Sequence, residues 1–189
     1  AKSDPKVLSL EEMLYAATLT KDANEQLAFY TAAAEAYPKE IRAANNVGVT
    51  LLNLGKTDEA IAAFEKAQAI ENKDIVKNNL GAAYMAKDDL VKAAEYYNSM
   101  AVQTPESKFG LGVIAITKGE YDKAVNYFGT EPCFNLALAQ VCKGDVNQAK
   151  VTLDNMKEMC GVALAAGLEP VNTGAVSTAV ADAVTAAGA

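Results

Sequence analysis

The sequence predicts an all-α fold: an α-solenoid of about five helical hairpins followed by a C-terminal capping or assembly segment. Three observations carry that prediction. First, IRAANNVGVTLLNLGKTDEAIAAFEKAQAIEN (41–72) and DIVKNNLGAAYMAKDDLVKAAEYYNSMAVQTP (74–105) repeat each other at an offset of 33 residues, and a period in this range means stacked supersecondary units. Second, the apolar residues inside a unit recur at helical spacing. Third, alanine supplies much of the 51% hydrophobic content, which suits closely packed helices.

The elements follow in chain order. LSLEEMLYAATLTKDANEQLAFYTAAAEAYP (8–38) is a looser first unit, opened by a Ser9/Glu12 capping box. In the next unit Val47, Leu51 and Leu54 form a stripe, Gly55 ends the helix, and Thr57 and Asp58 start a second helix striped by Ala60, Ile61, Phe64 and Ala67. The following repeat places Gly81 with Gly48, Ala93 with Ala60 and Tyr97 with Phe64. Gly48 and Ala60 are small because two helices cross there. A third full repeat has a short second helix, Tyr121 to Phe128, after which GTEP (129–132) turns the chain early. The last unit, FNLALAQVCKGDVNQAKVTLDNM (134–156), aligns on Gly144, Ala149 and Leu153, with Ala137 where the other units have glycine.

Composition narrows the function. The net charge of -7 and the lack of a basic cluster disfavour nucleic acid. No run of eighteen apolar residues spans a membrane. Histidine, the commonest general base and metal ligand, is absent. Cys133, Cys142 and Cys160 form no CxxC pair, and the first two lie about 13 Å apart along a helix, too far for a disulfide. All three read as buried thiols, so no metal and no cofactor is expected. Charged runs such as Lys56, Asp58, Glu59, Glu65 and Lys66, and the Lys87-Asp88-Asp89 turn, read as solvated faces. The paired carboxylates Glu11/Glu12 and Asp88/Asp89 come with no sign of a pocket, so catalysis is not expected. The chain starts at Ala1 rather than Met, which fits a processed protein or a trimmed piece.

The repeat resembles the tetratricopeptide repeat over about residues 7–158. The family's Leu-Gly pair matches Val47-Gly48, Leu80-Gly81 and Leu111-Gly112; its Ala-x-x-x-Phe matches Ala60/Phe64, Ala93/Tyr97 and Ala124/Phe128; its closing Pro matches Pro38 and Pro105. The family's Trp is absent throughout. A fainter likeness, to repeat stretches of bacterial envelope proteins linked to OmpA-like domains, implies a bacterial cell-envelope or extracellular location.

The resemblance implies a concave groove lined by the first helix of each repeat. Its register places Arg42, Asn45, Asn46, Val49 and Asn53 there, then Asn78, Asn79, Ala82 and Met85, then Phe109, Val113, Ile116 and Thr117, then Phe134, Asn135, Leu138 and Val141. The groove would be polar at its N-terminal end and apolar at its C-terminal end. Asn46, Asn79 and Asn135 share one repeat position, which Gly110 interrupts. Two readings stay open: a ladder holding an extended peptide's backbone, for which an amide both donates and accepts, or amides that serve their own helices. The family's clamp for a C-terminal carboxylate needs Lys and Arg where this chain has Asn45, Val49, Ile75 and Glu106, so that use is rejected.

The chain divides on composition into a repeat array (1–159) and an Ala/Val-rich segment (160–189) whose only charges are Glu169 and Asp182. Val176, Val180 and Val184 lie on one helical stripe whose opposite face, Thr178, Ala181 and Ala186, is hardly polar. A helix apolar all round is normally buried. Such a segment could cover the end of its own array, its own groove at Phe109, Ile116 and Leu138, or a foreign partner. It could also reach a second copy's N-terminal unit at Leu10, Met13, Leu14, Ala17 and Leu27, a head-to-tail contact that makes rings or filaments. The expected function is non-catalytic protein interaction or assembly. The chain is either a self-associating homo-oligomer or a monomeric adaptor whose groove takes a peptide of another protein.

Overall fold

The computed structural model describes residues 8–165, with side chains placed through residue 159. Ten helices occur among the described residues: α1 (Leu10–Leu19), α2 (Ala23–Ala36), α3 (Ile41–Asn53), α4 (Thr57–Ile70), α5 (Asp74–Ala86), α6 (Leu90–Asn98), α7 (Pro105–Thr117), α8 (Tyr121–Phe128), α9 (Phe134–Lys143) and α10 (Val146–Ala165). No strand is present among them. The short α8 runs over the residues expected of it. α10 runs past the compositional boundary at 159/160. The chain separates into two bodies at Ser107/Lys108, within α7, and each is taken in turn.

In the first body each hairpin forms because its ends are chemically marked. Ser9 caps α1 in a reciprocal box with Glu12: the Glu12 carboxylate accepts from the Ser9 N–H at 2.8 Å. Asp22 caps α2 by accepting from the N–H groups of Asn24 and Glu25. Asp89 does the same for α6 through Lys92. α3 ends at a left-handed residue, Gly55, with φ +74°. The same turn after α5 uses Asp88 at φ +65°, a conformation a non-glycine residue adopts at some cost.

The core comes from the crossing of the two helices in a hairpin. Phe64 of α4 is fully buried and lies on Gly48 of α3; a Cβ on Gly48 would stand 2.5 Å from its Cε1. Tyr97 of α6 covers Gly81 of α5 in the same way. Burial pushes the Tyr97 phenol up to about 12, so it stays neutral in the core. Ala60, Ala67, Val76, Leu80, Ala83 and Ala93 fill the remaining space with no exposure. Met13 of α1, Ala33 of α2 and Ala43 of α3 make a cluster between the first hairpin and the next, flanked by Leu8, Leu10, Leu14 and Tyr37.

The second body repeats the motif. Phe128 of α8 covers Gly112 of α7, at 2.6 Å from the position a Cβ would take, and Phe109 packs edge-on against Phe128 at 5.5 Å. Leu136 and Ala139 of α9 join Ala115, Ala124 and Phe128 in one cluster. The α9/α10 hairpin departs from the motif: the glycine is Ala137 and the aromatic is Leu153, packed together with Ala149. The larger small residue is matched by a smaller large one. A buried hydrogen bond, Thr152 hydroxyl to Gln140 Oε1 at 2.8 Å, adds a polar tie between these helices. The expectation of three buried thiols is corrected. Cys142 is exposed and Cys133 half-buried, because Cys142 lies away from the α9 face that packs on α10 and Cys133 caps α9 by accepting from the Leu136 N–H. The Cys160 side chain lies outside the described residues.

Gly48→Ala should destabilise the chain by about 1–3 kcal/mol, since the Phe64 ring must move off its rotamer. Combined with Phe64→Leu, the pair that α9 and α10 use, the change should cost less than the sum of the single changes, by about 1 kcal/mol. Urea denaturation of the four proteins measures this; strict additivity would show that the glycine does not answer to the ring.

Candidate functional site

The first helices of the first body carry a row of amides. At 3.6 residues per turn, residues three and four apart share a helix face, so Asn45, Val49 and Asn53 of α3 lie along one side. Four asparagines meet where α3 and α5 run together. Asn79 Nδ2 donates to Asn45 Oδ1 at 2.8 Å. Asn78 Oδ1 accepts from the Thr104 hydroxyl, whose oxygen in turn accepts from the Ser107 N–H at the start of α7. The Asn46 side chain makes no hydrogen bond among the described residues, although its carbonyl accepts from the Thr50 hydroxyl at 2.9 Å. All four side chains are half-buried.

Within the structure the amides of neighbouring first helices meet across repeat positions. Asn79 reaches diagonally to Asn45, not across to Asn46, because the side chains of neighbouring first helices meet one residue out of step. The rung leaves Asn79 one N–H and its Oδ1, and leaves Asn45 both N–H groups. The first helices also carry exposed apolar side chains, of which the sequence reading named Val49 but passed over Tyr15 and Leu19. Tyr15 and Leu19 of α1 are each 65% exposed, and Val49 of α3 is exposed beside them in repeat register. Their signal was available, since Tyr15 stands at the Val49 position of the first unit, but that unit's weak repeat match hid it. Glu11 of α1 binds Arg42 of α3 at 2.6 Å, which holds the Glu11 carboxyl below its usual range. This ion pair is exposed and contributes little to stability.

Of the proposed self-association surface, Met13 is 1% exposed and fills the cluster with Ala33 and Ala43. It is not available to a second copy, because α1 turns this face onto α2 and α3. Ala17 is likewise fully buried. Leu10 and Leu14 are half-buried against the same cluster. Val176, Val180 and Val184 lie outside the described residues.

In the second body the expected positions fall on α7 and α9. Phe109 is 46% exposed. Val113 and Ile116 are half-buried and pack on the body's main cluster. Leu138 packs on the Ala137/Ala149 cluster, and Asn135 is half-buried at the start of α9. Phe134 and Val141 are half-buried and Thr117 is exposed. No helix among the described residues is long and apolar enough to cross a membrane.

One further feature escaped the sequence reading: an open cleft of about 590 Å³ in the first body, lined by residues of α4, α5 and α6 that include Glu65, Lys77, Tyr84, Lys92, Glu95 and Tyr96. Its signal is tertiary, because it needs three helices.

The connection from α6 to α7 is fixed by Asp74 at the start of α5. Its Oδ2 accepts from the N–H groups of Ala101 and Val102 at 2.9 and 3.2 Å, and its Oδ1 meets Lys77 Nζ. These bonds favour the carboxylate and lower its pKa.

Comparison with known proteins agrees with this geometry. Residues 41–74, covering α3 and α4, match the family model of the tetratricopeptide repeat. The BBSome complex member BBS4 of Bos taurus is 29% identical over 103 residues, which is 53% of this chain and 20% of that protein. The chain thus spans about a fifth of that curated relative. Among solved structures, the APC/C hetero-tetramer Cut9-Hcn1 superposes with a TM-score of 0.76 over 98% of this chain and 38% of that one, at 20% identity. MamA gives 0.67 over 88% and 98%, at 17% identity. YrrB, described as a TPR protein with an unusual peptide-binding site, gives 0.57 over 75% and 81%, at 23% identity.

Two measurements check these assignments. Asn79→Ala should cost about 0.5–1.5 kcal/mol by breaking the rung, whereas Asn46→Ala should leave stability nearly unchanged; equal losses would place Asn46 in the same network. The stability Asp74 contributes is complete above the ordinary carboxylate pKa of about 3.9 and is lost as pH falls through its lowered value. The melting-temperature gap between the parent chain and Asp74→Asn should accordingly hold at neutral pH and shrink in acid. A gap that persists undiminished at the lowest pH at which the chain folds would deny the carboxylate this role. Fold, repeat match and site geometry together identify the chain as an all-α solenoid of tetratricopeptide-like hairpins, with a tetratricopeptide repeat at residues 41–74.

Proposed function

We propose that this chain is a non-catalytic protein-interaction module whose first helices bind an extended segment of another protein. The fold implies protein–protein interaction or scaffolding. The observation that carries the finer reading is the Asn45–Asn79 rung flanked by exposed Tyr15, Leu19 and Val49. A strip of this kind offers amide donors and acceptors to a peptide backbone and apolar positions to its side chains. The proposed surface comprises Asn45, Asn46, Asn78 and Asn79 with Tyr15, Leu19 and Val49. On the second body, by itself, Phe109, Val113, Ile116, Asn135 and Leu138 are proposed as apolar contact positions. The peptide-binding site described for YrrB supports such a use through shared fold alone.

Self-association is the competing proposal. It rests on the composition of residues 171–189, whose one charge is Asp182, and on Leu10 and Leu14, and the burial of Met13 weakens its receiving surface.

A random peptide library displayed against the full chain tests the first reading. Peptides should be enriched whose binding falls about tenfold or more in Tyr15→Ser/Val49→Ser, as expected when apolar anchors are lost, with the melting temperature within a few degrees of the parent. Enriched peptides indifferent to these substitutions, and to Asn45→Ala, would reject it. Light scattering on the full chain and on a chain ending at Pro170 separates the alternatives. An oligomer that becomes monomeric on truncation would establish the assembly reading.

A further inference from the structure

We infer that the cleft between α4 and α6 is a second recognition site, one that takes an arginine side chain from a partner protein. It does not lie on the asparagine face. Along α5, Lys77 and Tyr84 are two turns apart on one side, and Asn79 is about 200° round the helix from Lys77. The cleft is thus on the opposite side of the hairpins from the rung.

Its walls and floor differ in chemistry. Glu65 stands on α4, Glu95 and Tyr96 on α6, and Tyr84 on α5 forms part of the floor. The Tyr84 and Tyr96 rings stack at 5.5 Å with an angle of 10° between their planes. Tyr84 is buried, and its ring carries the Lys92 ammonium 4.9 Å from its centre. Tyr96 is half-buried and keeps aromatic surface for a ligand. The charges do not balance. Lys77 is neutralised by Asp74 at 3.2 Å and donates to the Ser99 carbonyl at 3.0 Å. Neither Glu65 nor Glu95 forms an ion pair among the described residues; Glu65 receives only a long bond of 3.5 Å from the Tyr84 hydroxyl. With Lys77 held by Asp74 behind the lining, Lys92 is the cation left to face the two carboxylates, so the cleft and its border together carry one excess negative charge.

That combination selects a guanidinium. It is planar and weakly hydrated, stacks on an aromatic face, and offers a fork of donors to carboxylates, whereas an ammonium is a compact, strongly hydrated charge. The source is an arginine within a protein segment, not free arginine. The cleft is open to solvent, while small-molecule sites enclose about 70–90% of their ligand. The net charge of -7 draws basic partners toward the chain.

Nitrogen-15 NMR on the full chain tests this with acetyl-Gly-Arg-Gly-amide as probe, beside its lysine and citrulline counterparts and free arginine. The arginine peptide should shift the amide signals of Glu65, Tyr84, Glu95 and Tyr96 saturably. It should bind about fivefold or more above the lysine peptide, with the citrulline peptide weaker still. Glu65→Gln/Glu95→Gln, both exposed positions, should weaken binding about tenfold without moving the melting temperature. Tyr15→Ser/Val49→Ser should leave it unchanged, so failure here is distinct from failure on the asparagine face. The inference is overturned by absent or unsaturable shifts, by shifts spread over the whole acidic surface, by an equal citrulline response, or by undiminished binding in the double variant. Free arginine binding as tightly as the peptide would overturn the assignment to a protein partner.

Discussion

Three successive hairpins are organised by the contact between an aromatic ring on the second helix and a missing side chain on the first. Phe64 lies on Gly48, Tyr97 on Gly81 and Phe128 on Gly112. A Cβ at any of these glycines would enter the ring, so the two helices approach more closely than side chains normally permit. Helix packing is a problem of ridges and grooves, and here a local absence sets how the helices cross. The alanines at 60, 93 and 124 on the second helices are fully buried and extend the close approach along the hairpin. The hairpin at α9 and α10 solves the same volume problem with Ala137 and Leu153, which shows that total volume, not the glycine itself, is what packing conserves.

With the hairpins fixed, polar groups link successive units. Asn79 to Asn45, Lys87 to Asp58 at 2.6 Å, and Arg42 to Glu11 each cross from one repeat to the next in the first body. The two ion pairs are exposed and contribute little energy. The amide rung is half-buried, and losing one partner would strand the other. Asp74 fixes the approach to α7 through two backbone N–H groups. These links position the first-helix side chains while the apolar core carries the stability.

The two faces of the first body differ in kind. The face with Asn45 and Asn79 is an array of separate amides and apolar side chains, the surface proposed to read a peptide backbone. The opposite cleft combines a stacked tyrosine pair with two carboxylates that form no ion pair among the described residues, and is the site inferred to take a single arginine side chain. A chain that presents both would place two short segments of partner on either side of the same two hairpins.

The sequence by itself determined the repeat, the hairpin boundaries and the packing partners. Glycine, alanine and aromatic positions recur because each repeat must bury the same volume, and Tyr121–Phe128 was legible as a short helix from the early turn at Gly129. The sequence also named Asn45, Asn46, Asn78 and Asn79. It could not pair them, because which amide meets which depends on how far one helix is shifted against its neighbour, and that shift follows from side-chain packing. For the same reason it misplaced Met13, whose spacing suits either face of α1 until α2 and α3 arrive to cover one. Only the tertiary structure decided the exposure of Tyr15, Leu19 and Cys142, and only it assembled the cleft from α4, α5 and α6. A helix period assigns residues to faces, but the contacts between helices decide what each face meets.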